Sequence, residues 1–324
     1  MDPITQGAIG AAVAQSFSRH KRDLKLAAAA GWIGGMAPDL DVFIRSSTDP
    51  LLALEYHRHF THALAFIPVG GALVGLFCWL VTRRRHSLPH MVLFATIGMA
   101  THGLVDALTS YGTLLLWTFS HVRISWDTLA IIDLFFTIPL LLGIFAAIRW
   151  RSHRVVRVAV AVSGLWMMFG AYQHVTLKRA QAALAAERGH TISHSRVMPL
   201  LKVVNPLFSW RSVYVADEVI YVDGMTYRPF RAPHITAGGS LPRFDARALA
   251  ATLPAESPLA RDLRRYDWFA DTLTASLPDD PTVIVDMRYG ASGATLRPMW
   301  GIRITPEAPQ HPAERVRFPR FEQE

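Results

Sequence analysis

The sequence predicts a mainly α membrane domain of five to six transmembrane helices over residues 1–175, followed by a small α+β extracytoplasmic domain over residues 176–324. Three observations predict it. Apolar stretches close to bilayer-spanning length recur through the first half of the chain. Lys and Arg gather in alternate short loops between them, and beyond residue 175 the pattern changes to short alternating runs broken by Gly, Pro and Asp. Composition agrees: 51% hydrophobic and 18% charged residues, with a mean hydropathy of +0.22, read as part membrane and part globular.

A helix needs about 20 apolar residues to cross a hydrocarbon core of roughly 30 Å. Residues 26–44, 63–82, 91–109 and 128–148 come near that length, and 155–174 joins them with Arg157 close enough to one end to reach the interface. Residues 3–17, short and speckled with polar groups, are compatible with a tilted crossing, an interfacial helix or a packed half-helix. "MDPITQGAIG" has neither the basic lead-in nor the small-residue cleavage site of a secretory signal, so it reads as mature protein.

Orientation follows from the loops. Segments 18–25, 83–90 and 149–157 together hold eleven Lys and Arg, whereas the alternate loops hold only Arg45, Arg58 and Arg123. The positive-inside rule puts the first set in the cytoplasm; Lys178 and Arg179, on the far side, run against the trend. The net charge of +8 is thereby explained by topology, and nucleic acid is not an expected partner. A single cysteine, Cys78, rules out both an intrachain disulfide and a Cys-based metal cage.

In the second half, "SVYVADEVIYVDGMTYRPF" alternates around Asp223-Gly224, which predicts a hairpin turning at that pair. "TVIVDMRYG" and "TLRPMWGIRIT" predict further strands, residues 256–276 an amphipathic helix, and the Pro- and Gly-punctuated stretch 229–242 loops.

The intramembrane polar residues collect at one end of this map. "APDLD" places Asp39 and Asp41 near the outer end of the segment 26–44. "HRHFTH" sets His57, Arg58, His59 and His62 at the outer entrance of the next, and His102 and Asp106 share a helix face at i, i+4 spacing. Asp127 and Asp133 begin the segment 128–148 from the same side. Imidazole and carboxylate are the ligand set of zinc, manganese or iron, and a cation between several carboxylates relieves their repulsion. Blander roles compete: a hydrogen-bonded interfacial His62, a cap at Asp39, and an N-cap at Asp127, the role favoured for that residue.

With "MDPITQGAIG", "GGMAPDLDV", "HRHFTHAL" and "THGLVDALTSYGT" in order over residues 1 to about 135, the chain resembles the membrane-bound, metal-dependent hydrolases (YdjM-like), also described as LexA-binding, inner-membrane-associated hydrolases. The resemblance implies a multi-pass protein of the bacterial inner membrane and a metal held by Asp39, Asp41, His57, His62, His102 and Asp106. Many relatives carry His where this chain has Gln6, so either one ligand is lost or Asp2 replaces it. "DMRYG" and "NPLFSW" resemble the C-terminal part of longer family members.

The function expected is metal-dependent hydrolysis of an ester or phosphoester in a lipid or lipid-linked substrate at the outer face of the bilayer. Zinc is the first choice of ion, manganese or iron the alternatives. Asp41 or Asp133 would act as general base, and Arg58 or His59 would stabilise the oxyanion. A metal-binding transporter and a non-hydrolytic structural protein are the competing expectations; the first would place polar groups near the midplane and leading to both faces. If "HRHFTH" carries ligands, His62 must lie within one ion's reach of His102 and Asp39.

Overall fold

A computed structural model describes residues 1–200 and 209–318. Residues 205–208 of "NPLFSW" and the C-terminal residue 324, expected outside the cytoplasm, lie outside the described residues. The chain forms two compact units, Met1–Phe43 with Tyr56–Tyr172, and Ile44–Glu55 with Gln173–Glu324.

The first unit is helical. Helix α1 (Pro3–Phe17) is started by Pro3 and by Asp2, whose carboxylate accepts from Thr5 N at 3.0 Å. It packs within the bundle: Thr5 to Ala12 are buried without a break. Small residues allow this. A Cβ on Gly10 would meet Gly31 O at 2.4 Å and one on Gly98 would meet the same oxygen at 2.1 Å, so α1, α2 (Leu24–Met36) and α5 (Leu88–Ala107) converge with backbones nearly touching.

The stretch 26–44 is not one spanning helix. The α-helix ends at Met36, just before Pro38, and a 3-10 run, Ala37–Phe43, carries Asp39 and Asp41. A short helix α3 (Leu52–Tyr56) and two 3-10 turns lead into α4 (Ile67–Val81), and α6 (Leu134–Trp150) precedes the 35-residue α7 (His153–Glu187). Among the described residues three helices are long and apolar enough to cross a membrane, Leu64–Val81, Leu88–Ala107 and His153–Glu187, with Leu134–Trp150 shorter; this is fewer than the five to six expected. The difference comes from the break at Met36, from α6, which starts only at Leu134 and has 17 residues, and from α1, whose 15 residues fall short of a span. Apolar side chains such as Leu73 and Phe77 on α4, Leu142 and Phe145 on α6, and Leu165 and Met168 on α7 stay exposed. Lipid, not water, suits such faces.

The second unit contains two four-stranded antiparallel sheets, ordered β1-β2-β3-β4 and β5-β6-β7-β8. The first comprises β1 (His194–Pro199), β2 (Ser209–Ala216), β3 (Val219–Thr226) and β4 (His234–Pro242). After α8 (Ala246–Thr252) and α9 (Pro258–Phe269), the second comprises β5 (Thr274–Ser276), β6 (Val283–Asp286), β7 (Trp300–Arg303) and β8 (Glu314–Arg317). Val213, Val215, Ile220 and Val222 from one sheet and Ala275, Val283 and Val285 from the other share one core.

Three sequence expectations change here. The β2–β3 hairpin turns at Asp217-Glu218, both at positive φ (49° and 58°), not at Asp223-Gly224. Asp223 lies within β3, where Arg188 Nη1 and Nη2 donate to its two oxygens at 2.7 and 2.8 Å, and the β3–β4 register shifts between Val222 and Gly224, so the Asp-Gly pair marks a bulge. Most of the stretch expected as loops forms the edge strand β4, and the expected helix 256–276 stops at Phe269 so that Thr274 can enter β5.

The segment Ile44–Glu55, which by sequence belongs with residues 1–175, packs with the second unit. Arg265 on α9 lies 2.9 Å from Asp49 Oδ1 and 2.8 Å from Glu55 Oε2. Burial opposes ionisation of Asp49, but the guanidinium bond outweighs it and holds the carboxyl below its usual range.

Candidate metal centre

The site is assembled from the ends of broken helices. Helix α5 runs through a buried stretch and presents His102 and Asp106 one turn apart, both fully buried. Across from it, the 3-10 run after α2 brings Asp39 and Asp41, and the turn Phe60–His62 brings His62. Gly103 makes the approach possible: a Cβ there would stand 2.2 Å from His62 O.

One atom from each of Asp39, His62, His102 and Asp106 lies within 4.8 Å of the other three. His62 Nε2 and His102 Nε2 are 2.8 Å apart, and each is 3.5 Å from Asp39 Oδ1. Asp106 Oδ2 is 3.2 Å from His62 Nε2 and 3.5 Å from His102 Nε2. Zinc with nitrogen and oxygen ligands at about 2.0–2.1 Å sets tetrahedral donors about 3.3 Å apart, which these separations bracket.

Tautomers support the same arrangement. His102 Nδ1 donates to Gly35 O at 2.5 Å; a carbonyl can only accept, so in the neutral ring the proton is on Nδ1 and the Nε2 lone pair faces the cluster. His62 Nδ1 lies 3.0 Å from Thr61 Oγ1 and 3.3 Å from Asp41 Oδ2, while Thr61 Oγ1 donates to that carboxylate oxygen at 3.1 Å. Its Nε2 is thus turned inward too. Two lone pairs 2.8 Å apart beside two carboxylates call for a cation, and this backing of each histidine is how metal-bound imidazoles are oriented. The buried oxygen Asp106 Oδ2 meets no well-directed hydrogen-bond donor among the described residues and is paired with the Arg58 guanidinium instead.

Asp106 Oδ1 is held from the other side. Gln6 Nε2 donates to it at 2.8 Å, and the Met1 amino group is also bonded to it. Arg58 Nε sits 3.0 Å from Oδ2, while Arg58 Nη1 donates to Thr109 Oγ1 at 2.7 Å and the guanidinium packs 4.8 Å from the Tyr111 ring centre. Arg58 occupies the left-handed region at φ 67°, a conformation that costs a non-glycine residue about 1–2 kcal/mol. Arg58 N donates to Asp41 Oδ2 at 2.8 Å and its carbonyl accepts from Leu114 N at 3.0 Å, which fixes that backbone.

Of the sequence-derived site residues, the fold gathers Asp39, His62, His102 and Asp106 into one set. Asp39, Asp41 and His57 form a second overlapping group, with His57 Nδ1 2.8 Å from Asp41 Oδ1. Arg58 lies against Asp106. His59 stands apart, its ring 5.1 Å from that of Tyr56 and 5.4 Å from that of Trp117. Asp133 caps α6: Oδ1 accepts from Phe135 N and Phe136 N at 3.0 and 3.1 Å, and Oδ2 accepts from Trp166 Nε1 at 2.9 Å. The capping role expected of Asp127 therefore belongs to Asp133. Asp2 is likewise occupied as the cap of α1, and the amide of Gln6, not Asp2, reaches the site. Thr109 and Tyr111 lie within "THGLVDALTSYGT", but nothing in their spacing marks them as supports for Arg58.

Residues 1–177 match the profile described as YdjM inner membrane protein. The chain belongs to that family. The match covers the whole helical unit and ends within α7, so the inner-membrane assignment and the cluster described above fall in the same part of the chain. No curated protein and no solved structure matches the chain.

Proposed function

We propose that this member of the YdjM inner membrane protein family is a membrane-embedded, metal-dependent hydrolase that cleaves an ester or phosphoester bond in a lipid or lipid-linked substrate at the outer face of the bilayer. The observation that carries the reading is the convergence of four donors, Asp39, His62, His102 and Asp106, at spacings that suit one divalent ion. Bound there, such an ion supplies Lewis acidity and an activated water, with zinc the first choice and manganese or iron the alternatives.

The protein's own groups have defined tasks in this reading. His102 and His62 are locked in orientation by Gly35 O and by the Thr61–Asp41 pair. Arg58 balances Asp106 and gives the site a fixed positive charge toward which a developing oxyanion is drawn. His59 and Asp133, committed to an aromatic cluster and a helix cap, are left out of the chemistry.

The lipid part of the proposal rests on the surroundings. Leu40 and Phe43, beside Asp39 and Asp41, are exposed, as are Leu64 after "HRHFTH" and Leu116 and Phe119 on the loop after α5. An apolar rim around a polar centre suits a headgroup whose acyl chains remain in the membrane. The extracytoplasmic placement of the second unit belongs to the same proposal and rests on the distribution of loop charges.

A closed set of four protein donors also suits a purely structural ion, which is the competing reading. Metal analysis of the detergent-purified protein with turnover assays on phospholipid esters and phosphoesters separates the two. The hydrolase reading expects bound metal and turnover, both lost in His102→Ala and Asp106→Ala. Metal with no turnover on any such substrate supports the structural ion, and absence of metal from correctly folded protein removes both.

A further inference from the structure

We infer that the cluster is a two-metal centre in which Asp39 is shared, the second ion being held by Asp39, Asp41 and His57, and that its substrate bond is a phosphoester. This rests on the hydrolase reading and deepens it.

The four-donor set leaves a problem for hydrolysis. His62, His102 and Asp106 are fully enclosed and, with Asp39, fill a tetrahedron, whereas a catalytic ion keeps one position for water or substrate. The neighbouring group supplies what the first lacks. One donor atom from each of Asp39, Asp41 and His57 lies within 4.8 Å of the other two, three donors instead of four. The His57 side chain is 24% exposed and that of Asp39 15%, against 0% for His62, His102 and Asp106, so this group stands at the accessible edge of the cluster.

The division of Asp41 fits the assignment. Its Oδ2 accepts from Arg58 N at 2.8 Å and Thr61 Oγ1 at 3.1 Å and faces His62 Nδ1 at 3.3 Å. Its Oδ1 accepts from His57 Nδ1 at 2.8 Å, a proton that a second ion would replace. Asp41 thus orients a ligand of the first ion with one oxygen and offers the other to the second.

Asp39 is the one described residue present in both groups: its Oδ1 lies 3.5 Å from His62 Nε2 and from His102 Nε2, and a carboxylate has a second oxygen to offer. Two-metal hydrolytic sites hold their ions about 3.5–4 Å apart, a distance a shared carboxylate spans, and clamp the attacking and leaving oxygens of an in-line displacement at phosphorus. Such a clamp suits a phosphoester, because displacement at phosphorus loads charge on the attacking and the leaving oxygen at the same time, and this is the ground for preferring it to a carboxylic ester. In such a displacement water's oxygen forms the new bond to phosphorus, the bond to the leaving alkoxide breaks, and the water's proton is taken up as the alkoxide is protonated. Only water is consumed.

The test is metal stoichiometry of the full-length protein in detergent, stripped with chelator, reloaded with zinc and freed of excess ion. Two equivalents per chain are expected in the wild type and one in His57→Ala, with His57→Gln as the second variant should the alanine form fail to elute as a single folded species. Reloading with cobalt adds a spectroscopic readout: inorganic phosphate should shift the visible spectrum of the wild type and leave that of the His57 variant unchanged. One equivalent in the wild type, unaltered by either His57 variant, overturns the second position while the hydrolase reading stands. Two equivalents with no response to phosphate overturn the phosphoester assignment, and no retained zinc in folded wild-type protein overturns both readings.

Discussion

A Cβ on Gly103 would stand 2.2 Å from the carbonyl oxygen of His62, closer than packed atoms approach. This contact sets how near "HRHFTH" can come to α5, since His62 and His102 meet through Nε2 atoms 2.8 Å apart on either side of it. Gly103→Ala is therefore expected to push the turn Phe60–His62 away and to weaken zinc binding at least tenfold while helix content is kept. Zinc titration with a competing chelator, alongside circular dichroism, measures both. Unchanged affinity would show that the turn yields at no cost.

The legibility of the site and of the fold differ for physical reasons. His102 with Asp106 was readable because a helix of fixed period puts i and i+4 on one face, and Asp39, His57 and His62 were readable because polar groups beside apolar runs need an explanation. Gly35 O, which sets the tautomer of His102, is a backbone atom and leaves no trace in residue type. Asp127 and Asp133 both precede apolar residues; only the observed start of α6 at Leu134 decides that Asp133 is the cap. The turn at Asp217-Glu218 was hidden for a related reason. Asp223-Gly224 is the stronger local signal, but Asp223 is bound to Arg188 and Gly224 lies at the bulge, so tertiary contacts override the dipeptide.

Arg58 and a divalent ion compensate the same buried charge. Arg58 Nε lies 3.0 Å from Asp106 Oδ2, and removing one partner of a buried ion pair costs about 3–5 kcal/mol. Arg58→Met should therefore lower the melting temperature strongly in chelator and less in zinc, because the ion takes over part of the compensation. Thermal unfolding under the two conditions checks this. Equal losses with and without zinc would mean that Asp106 does not meet the ion.

The second unit carries an acid-sensitive contact. Burial opposes ionisation of Asp271, but His194 Nε2 at 3.2 Å and Arg196 Nη1 at 2.8 Å outweigh it and hold the carboxyl below its usual range. A depressed folded pKa means the contact stabilises the fold above the unfolded carboxylate value, about 3.9, and is lost as pH falls from there toward the folded value. Asp271→Asn should lower the unfolding temperature of this unit at pH 7 and reduce its drop between pH 5 and pH 3. Scanning calorimetry of the full-length protein at the three pH values tests it; parallel curves for wild type and variant would exclude the contribution.

The loop after α5 is tied to the site on one side and uncovered on the other. Leu114 N donates to Arg58 O and Leu64 N donates to Leu115 O, each at 3.0 Å, so the loop is pinned on both sides of the turn Phe60–His62. Leu114 and Leu115 are buried, but other apolar side chains of the loop are not: Phe119 is 91% exposed and Val122 65%, with Leu116 and Trp126 about half exposed. Leaving a phenylalanine in water forgoes about 1.5–3 kcal/mol relative to burial, and several such residues on one loop make insertion into the adjoining leaflet the favourable arrangement. Phe119→Cys carrying an environment-sensitive fluorophore, in a background where the one native cysteine, Cys78, is replaced by Ser, reports where the tip lies. In phosphatidylcholine–phosphatidylglycerol nanodiscs the label should be quenched by acyl-brominated lipid and shielded from aqueous iodide. Quenching by iodide with none by brominated lipid would place the tip in water and remove the apolar rim as an argument for a lipid substrate.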